Sequence, residues 1–417
     1  MSSILQGYKQ TDIGVIPEDW EVKRLGDLTT STTGGTPSTN VLEYWGGSIP
    51  WMSSGDLHLK QIYDVNGRIT QIGLENSSAH IIPKNCVLIG LAGQGKTRGT
   101  AAINRIPLCT NQSIGAILPK NTFSSDYLFY AIDSIYEQLR SLSSGEGGRG
   151  GLNLNILNHI VVPLPNFTEQ KAIAEVLSDM DALIEAQKEL IAKKRDIKQG
   201  TMQDLLSGRV RLPGYETKSW KHTDIGDIPD DWEVKSFSNI AYLIKETVDP
   251  TSNKSLNCVE LEHLSSSTGL LIDFDDLSNK SSFKNKFQRG DVLFGKLRSY
   301  LRKFWLCQWS GCCSTEIWVF RPKSITNSVF LKYIVSSDQF VKVASESFGT
   351  HMPRADWNVV KECFFAIPAL YSEQQAIAQV LSDMDDELET LEVELEKLNH
   401  MKRGMMQELL TGRIRLI

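Results

Sequence analysis

Long apolar runs are missing from this sequence. No stretch of about 18 apolar residues occurs in the 417 residues, which argues against a transmembrane helix. The opening MSSILQGYKQTDIG also lacks the positive segment and apolar run of a secretory signal peptide. With 41% hydrophobic and 23% charged residues, the composition is that of an ordinary globular protein. We therefore expect a cytosolic protein with two or more domains.

Residues that carry catalysis or bind metal are also sparse. The seven cysteines are odd in number and scattered, no CxxC pair occurs, and the seven histidines form no HExxH or HxH motif. The sequence has no GxSxG motif, and it lacks the NPPY or DPPY signature of amino-methyltransferases. Asp56 and Glu75 lack the spacing of a PD…ExK nuclease site. We expect reduced buried thiols, no metal site and no catalysis by the chain alone.

Two blocks of the sequence occur twice. TDIGVIPEDWEV at 11–22 returns as TDIGDIPDDWEV at 223–234, and EQKAIAEVLSDMD at 169–181 returns as EQQAIAQVLSDMD at 373–385. The second match continues to QDLLSGRVRL at 203–212 and QELLTGRIRL at 407–416, whereas the inserts between the blocks differ. This period is far longer than the 20 to 50 residues of a solenoid. It predicts internal pseudo-two-fold symmetry, which suits a ligand with two unlike halves, such as B-DNA read at two half-sites.

Basic residues concentrate in the inserts despite a net charge of -6. Residues 76–125 contain no acid, and residues 280–303 contain eight Lys or Arg against the single acid Asp291, interleaved with aromatic residues. Acids crowd the second repeated frame instead, between 383 and 396. Basic inserts on an acidic frame indicate contact with nucleic-acid phosphates through the inserts. A merely solvated charged face is the alternative.

The second repeated block predicts two long helices. Each can begin near Glu169 or Glu373 and end at Gly208 or Gly412, where glycine suits a C-terminal cap. A 3.5-residue apolar repeat indicates an antiparallel coiled coil, although a seam that only dimerises the protein has the same period. About 38 residues at ~1.5 Å give a rod of roughly 57 Å, long enough to separate half-sites one DNA turn apart. The predicted seam residues are Ile173, Leu177, Met180, Ile184, Ile191, Ile377, Leu381, Met384, Leu388, Leu391, Leu395 and Leu398.

Each insert is predicted to be a mixed α/β domain. Short strands and turns come first, followed by an amphipathic helix at 126–143 or 328–347. An irregular loop with one arginine, Arg149 or Arg354, then precedes a last short strand. These loops either bring backbone close to a ligand or are plain connections.

Gly90 to Thr97, GLAGQGKT, match the phosphate-binding pattern GxxxxGK[ST]. That pattern cradles phosphate only where a strand leads into a helix. RGTAAINRIP follows instead and predicts a second strand, and no obvious Mg²⁺-holding acid accompanies the loop. A basic DNA-contacting loop is the favoured interpretation, with a P-loop nucleotide-binding protein and a coiled-coil adaptor as alternatives.

The chain alternates frame, insert, frame and insert, with TDIGxIPxDWEV before each insert and EQxAIAxVLSDMD…LLxGRxRL after it. This arrangement resembles the specificity subunit of type I restriction-modification systems. YWGGSIPWMSSGDL followed by GQGKTRG also looks like a recurring recognition domain, although SSGEGGRGGLN departs from the usual pattern. The resemblance implies an α+β fold with two tandem mixed α/β target recognition domains, at 1–165 and 213–368. Long antiparallel coiled-coil spacers at 166–212 and 369–417 would separate them.

The resemblance also implies a function. Each domain would read one half of a bipartite, asymmetric double-stranded DNA site, in defence against foreign DNA. The spacers would dock two modification subunits that bind S-adenosylmethionine and methylate adenine. Restriction subunits that use ATP and Mg²⁺ would join them, and this chain would bind no cofactor itself. The candidate DNA-binding residues are Gln94, Lys96, Thr97, Arg98, Arg105, Arg149, Lys284, Lys286, Lys296, Arg298, Tyr300, Arg302, Lys303, His351 and Arg354.

Overall fold

The structure is a computed structural model that describes residues 6–93, 95–142, 151–217, 219–251, 256–346 and 353–416. It divides into two compact units, Met1–Gln187 with Leu395–Ile417 and Lys188–Glu394. Each unit therefore contains one insert and a segment of both repeated frames. The predicted domain and spacer boundaries stay a prediction, because these units divide the chain within the long helices.

Helices of very different length occur in the described residues. The two longest, α6 and α11, span 41 and 39 residues. Five single-turn or two-turn 3-10 helices lie at Leu42–Tyr44, Ser54–Leu59, Leu261–His263, Leu277–Asn279 and Ser299–Leu301. The α-helices are α1 Leu25–Leu28, α2 Gln71–Glu75, α3 Ser125–Ser134, α4 Tyr136–Leu142, α5 Leu154–His159, α6 Phe167–Ser207, α7 Phe237–Ile240, α8 Ser328–Ser336, α9 Asp338–Ser345, α10 Trp357–Val360 and α11 Tyr371–Leu409.

The strands of the first unit are short. They are β1 Tyr8–Thr11, β2 Gly14–Pro17, β3 Glu21–Arg24, β4 Ser31–Thr33, β5 Trp45–Met52, β6 Gln61–Ile62, β7 Arg68–Ile69, β8 Val87–Gly90, β9 Ala101–Asn104, β10 Cys109–Thr110, β11 Ile114–Ile117 and β12 Val161–Leu164. They form a five-stranded sheet in the order β4-β11-β8-β9-β6 and a three-stranded sheet β10-β5-β7, with the pairs β1-β2 and β3-β12. The pairing β3-β12 closes the insert, because it joins the strands on either side of it in antiparallel register.

The second unit has related but different sheets. Its strands are β13 Trp220–Thr223, β14 Gly226–Pro229, β15 Trp232–Ser236, β16 Ala241–Ile244, β17 Thr247–Val248, β18 Asn257–Val259, β19 Asp275–Asp276, β20 Lys284–Phe287, β21 Val292–Gly295, β22 Phe304–Leu306, β23 Gly311–Cys313, β24 Ile317–Pro322 and β25 Phe364–Pro368. The sheet orders are β16-β24-β21-β22 and β17-β20-β23-β18-β19. The pairs β13-β14 and β15-β25 repeat β1-β2 and β3-β12.

The amphipathic helix predicted in each insert is two helices in the structure. The first breaks at Ile135, between α3 and α4, and the second breaks at Ser337, between α8 and α9. Ser337 starts a new helix because its side chain accepts a hydrogen bond from the Phe340 backbone N–H, a standard N-cap contact.

The long helices begin and end close to the predicted residues. Gly208 and Gly412 follow them with φ of 72° and 71°, the left-handed conformation expected of a C-terminal glycine. In the first unit, an ion pair of 2.6 Å joins Lys402 on α11 to Asp181 on α6. Lys198 on α6 pairs with Asp385 on α11 in the second unit. Arg195 also pairs with Glu392 in the second unit, and Arg415, just past α11, pairs with Glu169 in the first. In each unit the residue numbers along one helix rise as those of its partner fall, so the two helices run antiparallel, as predicted.

Apolar side chains hold the helix segments inside each unit. The predicted seam residues are buried or half-buried, and Leu177 and Leu381 are fully buried. In the first unit the core includes Trp20, α3 residues and Leu409 of α11. Trp232, α8 residues and Leu205 of α6 have the same places in the second. Among the described residues, no helix is both long and apolar enough to cross a bilayer.

Candidate nucleic-acid interface

Each unit carries a β-hairpin at the same place in its insert. A strand of four buried residues, VLIG of β8 or VLFG of β21, leads into a basic loop, and β9 or β22 returns antiparallel. The Gly90 N–H donates to the Thr100 carbonyl (3.0 Å), and the Gly295 N–H donates to the Lys303 carbonyl (2.8 Å). The two basic loops therefore occupy equivalent places in the two units and carry different side chains.

The loop of the first unit presents Lys96 and Thr97 at its tip. The Lys96 side chain is exposed, and its carbonyl accepts a hydrogen bond from the Tyr136 hydroxyl (3.1 Å). The Arg98 guanidinium is half-buried and lies 3.5 Å from the Gly93 carbonyl. Gln94 lies outside the described residues. The loop is thus anchored through its backbone while Lys96 faces solvent.

Arg105, another candidate, lies beyond this loop and makes contacts within the fold. Its guanidinium donates to Gln61 (2.8 Å) and Asn85 (3.1 Å), and it pairs with the Asp126 carboxylate at the start of α3. The side chain is 20% exposed. Three partners in one network assign Arg105 to positioning α3 against the sheet, and it is not part of the interface proposed below.

The Gly90 to Thr97 segment does not have the geometry of a nucleotide site. A phosphate cradle needs a helix N-terminus after the glycine-rich turn. Here the chain passes from β8 through turns into β9, and the two strands pair antiparallel with Val87 opposite Ile103. The prediction of strand, loop and second strand is confirmed, and the nucleotide-binding alternative is not supported.

The loop of the second unit is held in an unusual backbone conformation. Arg298 and Arg302 have φ of 53° and 50°, and they flank the 3-10 turn Ser299–Leu301. Non-glycine residues adopt this left-handed conformation at a cost of roughly 1–2 kcal/mol each, so the surrounding contacts must enforce it. Ser299 supplies one such contact, because its buried hydroxyl donates to the Ala344 carbonyl at the end of α9 (2.8 Å).

The side chains of this loop divide into free and paired cations. Arg298 and Tyr300 are exposed, Tyr300 by 55%, and Lys296 is half-buried. Within the described residues, the side chains of Lys296 and Arg298 form no ion pair. In contrast, Arg302 pairs with Asp338 at the start of α9, and the Lys303 ammonium donates to the Leu261 carbonyl (2.6 Å). Lys296, Arg298 and Tyr300 are therefore the loop residues available to a ligand.

The two lysines of β20 also differ from each other. Lys284 is buried, and its ammonium lies 2.8 Å from the Glu260 carboxylate. Lys286 is 40% exposed and lies 2.9 Å from Glu246. The Lys284–Glu260 pair belongs to the interior of the β17-β20-β23-β18-β19 sheet, so Lys284 serves the fold. Lys286 stays a candidate at the surface.

Arg354 joins the second loop from a distant part of the sequence. The Arg298 N–H donates to the Pro353 carbonyl (3.0 Å), and the Ala355 N–H donates to the Lys296 carbonyl (2.8 Å), which places Arg354 opposite Leu297. The Arg354 side chain is 57% exposed and contacts Glu316. Sequence reasoning did not single out Glu316, because it lies beyond the basic segment 280–303. Arg149 and His351 lie outside the described residues.

The repeated frames form a second site, which we call the arginine clasp. In the first unit, Arg415 donates from Nε and Nη2 to the two oxygens of the fully buried Glu169 carboxylate (2.6 and 2.8 Å). Its Nη1 and Nη2 also contact Asp19 (2.9 and 2.7 Å), and the Trp20 indole N–H donates to Glu169 (3.1 Å). The hydrogen bond from Arg415 lowers the pKa of Asp19.

The second unit repeats this clasp with Arg211, Glu373, Asp231 and Trp232. Arg211 lies 2.6 Å from Glu373 and 2.8 Å from Asp231, and Trp232 donates to Glu373 (3.3 Å). Burial raises the pKa of Glu373 although Arg211 opposes that shift. These are the residues that the two repeated blocks share, DW, EQ and GRxR. The duplication was visible in the sequence, but the pairing between its blocks was not.

Two unlike inserts on like frames, each with a basic hairpin and without a catalytic motif, are the arrangement of a protein that recognises two different DNA half-sites. The described residues also contain no cluster of His, Cys, Asp and Glu able to hold a metal ion. Residues 17–193 and 229–400 match the family model of the type I restriction modification DNA specificity domain. The chain belongs to this family, the DNA specificity subunits of type I restriction-modification systems.

Relatives and solved structures agree with this assignment. The chain is 28% identical to the type I restriction enzyme MjaVIII specificity subunit of Methanocaldococcus jannaschii, over 100% of this chain and 99% of the relative. It is 32% identical to the MjaIX specificity subunit of the same organism, over 67% of this chain and 65% of that relative. The crystal structure of the type I S subunit from M. genitalium superposes with a TM-score of 0.55 at 15% identity, covering 98% of this chain and 99% of that one. This last likeness shows the fold.

Proposed function

We propose that each insert reads one half of a bipartite, asymmetric DNA site and that the loops after β8 and β21 enter the DNA grooves. The observation that carries this proposal is the equivalence of the two hairpins on like frames, with different side chains at their tips. Lys96 in one loop and Lys296 and Arg298 in the other offer cations without a described ion partner. Phosphate contacts from such cations position a protein on DNA, and base contacts supply sequence specificity.

The proposal extends to the assembly in which the chain works. Specificity subunits recognise DNA and are not themselves catalysts. We infer that the helices α6 and α11 dock two modification subunits, which bind S-adenosylmethionine and methylate adenine at the sites this chain selects. Restriction subunits using ATP and Mg²⁺ complete the nuclease. The pseudo-symmetry supports this stoichiometry, because two equivalent frames provide two equivalent docking surfaces.

Sequencing of methylated adenines in cells that carry this chain and its modification subunits tests the proposal. We expect one motif of two unlike half-sites separated by unread base pairs, and no motif in cells lacking the chain. A single continuous motif would contradict the proposal. An exchange variant in which residues 25–160 replace residues 237–363 adds a stronger test. It leaves β3, β12, β15 and β25 in place, so we expect two copies of the first half-site in inverted orientation.

A second test concerns the helices as a spacer. Two heptads inserted into each helix, after Leu190 and after Glu394, keep the apolar seam in phase and add 14 × ~1.5 Å, about 21 Å. At ~3.4 Å per base pair, the unread gap should grow by about six base pairs, within the limits of duplex twist. Both half-sites should keep their bases. Altered half-site bases with the original gap would show that the helices do not set the spacing.

A further inference from the structure

We propose that Arg354 is a base-reading residue of the second half-site, with a guanine as its partner, and that Glu316 is the positioning residue that fixes its guanidinium. The inference rests on the proposed function and names a specific contact within it. Its starting point is the carboxylate that pairs with Arg354 beside the basic loop. Glu316 directly precedes β24, and its carbonyl accepts a hydrogen bond from the Lys296 N–H (3.0 Å) at the base of the basic loop.

The contact between the two side chains uses one edge of the guanidinium. Arg354 Nη2 donates to Glu316 Oε1 (3.2 Å), and Arg354 Nε lies 3.1 Å from Oε2. An arginine has five N–H donors in a planar, fixed arrangement. The edge formed by Nη1 and Nη2 therefore keeps its outward donors, and Nη1 makes no hydrogen bond within the described residues. That outer edge has the geometry that matches O6 and N7 of guanine in the major groove.

The burial of the pair supports a positioning role for Glu316. The Arg354 side chain is 57% exposed, whereas that of Glu316 is 26% exposed. Glu316 Oε2 is buried and accepts no hydrogen bond among the described residues, despite the nearby Nε. A buried carboxylate oxygen without a hydrogen bond is unfavourable, so the nearby Arg354 charge offsets the burial of Glu316 and holds the two side chains together.

The surroundings place the pair beside the other free cations. Backbone hydrogen bonds set Pro353–Ala355 against Lys296–Arg298, so Arg354 lies next to the loop whose exposed members are Arg298 and Tyr300. Lysine and arginine on such a loop can contact phosphates in any sequence. A guanidinium held by a carboxylate differs from them, because its orientation is fixed before DNA arrives. Fixed orientation favours reading of one base over general attraction to the backbone.

The test compares Arg354→Lys and Glu316→Gln in the methyltransferase assembled from the full chain and its modification subunits. Binding is measured by competition between oligonucleotides that carry each of the four base pairs at every position of the second half-site. For Arg354→Lys we expect the preference for one G·C pair to fall by about 5- to 150-fold, with other positions unchanged. Glu316→Gln should weaken the same preference by a smaller factor at the same position.

Arg289→Lys is the matched control. Arg289 is exposed and lies in the turn before β21, at the opposite end of the strand from the basic loop, so its substitution should leave every position unchanged. Uniform weakening across all sequences by Arg354→Lys would overturn the proposal and assign the residue to phosphate. A changed first half-site, or loss of assembly in size-exclusion chromatography, would overturn it too. If the parental assembly selects no bipartite site, the proposed function itself fails.

Discussion

The arginine clasp of the first unit gives a sharp prediction for Arg415→Ala. The substitution leaves the fully buried Glu169 carboxylate without the two guanidinium contacts of 2.6 and 2.8 Å, and within the described part of the chain the Trp20 indole N–H is its one remaining side-chain donor. Removing one partner of a buried ion pair costs about 3–5 kcal/mol. Because Arg415 is 23% exposed, water can reach the vacated position, and we expect the lower end of this range. The 57% exposed Asp19 adds only about 0–1 kcal/mol.

Arg413→Ala is the control two residues away. Arg413 is 68% exposed and lies 3.4 Å from the half-exposed Glu408, so its loss should cost about 0.5 kcal/mol or less. The reversal variant combines Arg415→Ala with Glu169→Gln. It should recover part of the lost stability, because no unpaired charge is then buried. Arg211→Ala should destabilise the second unit more strongly, since Arg211 is only 6% exposed.

Hydrogen exchange measured by mass spectrometry across a denaturant series is the suitable assay, because it gives the opening free energy of each unit separately. For Arg415→Ala, peptides of the first unit should open about 150-fold more readily, equivalent to about 3 kcal/mol, and those of the second unit should not change. An effect within about 0.5 kcal/mol of Arg413→Ala would refute the reasoning. An equal loss in both units would show that the clasp does not act locally.

Three further predictions concern the loops and the frames. The double substitution Lys296→Gln and Arg298→Gln should reduce the salt dependence of DNA binding by the assembled methyltransferase. If each cation neutralises one phosphate, the slope of log K against log salt falls by about 1.8. Arg289→Gln is the control, and an unchanged slope in the double variant would show that the loop is only a solvated face. Burial raises the pKa of Asp385, but Lys332 and Lys198 outweigh it and hold that pKa below the ordinary value of 3.8. The stability from this carboxylate is therefore present above pH 3.8 and is lost as the pH falls through the lowered folded-state pKa. Asp385→Asn should reduce the dependence of the second unit's stability on pH in this acid range. An unchanged pH dependence would show that Asp385 does not cause it. Gly412→Ala should destabilise the first unit, since Gly412 has a φ of 71° and a Cβ there would lie 2.5 Å from the Pro17 ring. Gly404 lies inside α11 with open space around it, so Gly404→Ala should stabilise the protein by about 0.4–1 kcal/mol in thermal unfolding. A change of the same sign in both variants would contradict this account.

Local signals in the sequence were sufficient for much of the fold. The seam repeat and the glycines at 208 and 412 predicted the long helices and their ends, because periodicity and capping are properties of neighbouring residues. Gly99 and Pro107 after the GLAGQGKT segment predicted a second strand, and β9 is there. The helix breaks at Ile135 and Ser337 were missed, since the apolar pattern continues through both positions.

Contacts between distant residues limited the prediction of the site. A count of charges along residues 280–303 treats Lys284 like Arg298, but Glu260 lies opposite Lys284 once β18 and β20 share a sheet. Arg302 likewise appears free in sequence and is paired with Asp338 at the start of α9. Sequence composition therefore located the basic loops, and only the fold separated the cations that stabilise each domain from those available to DNA.

The same contrast explains why the frames repeat and the inserts differ. Tyr130 donates to Asp181 (2.9 Å) and Tyr333 to Asp385 (2.7 Å), each beside a lysine from the opposing helix, so both units contain the same polar network as well as the same clasp. Loss of a member that contacts a buried group, such as Arg415 beside Glu169, leaves that group unsatisfied, which costs about 1–3 kcal/mol or more for charged groups. Lys96, Lys296 and Arg298 of the loops form no ion pair within the described residues, so they can change at little cost to stability. The frame is therefore constrained by folding, whereas the loop tips are free to differ between the two half-sites.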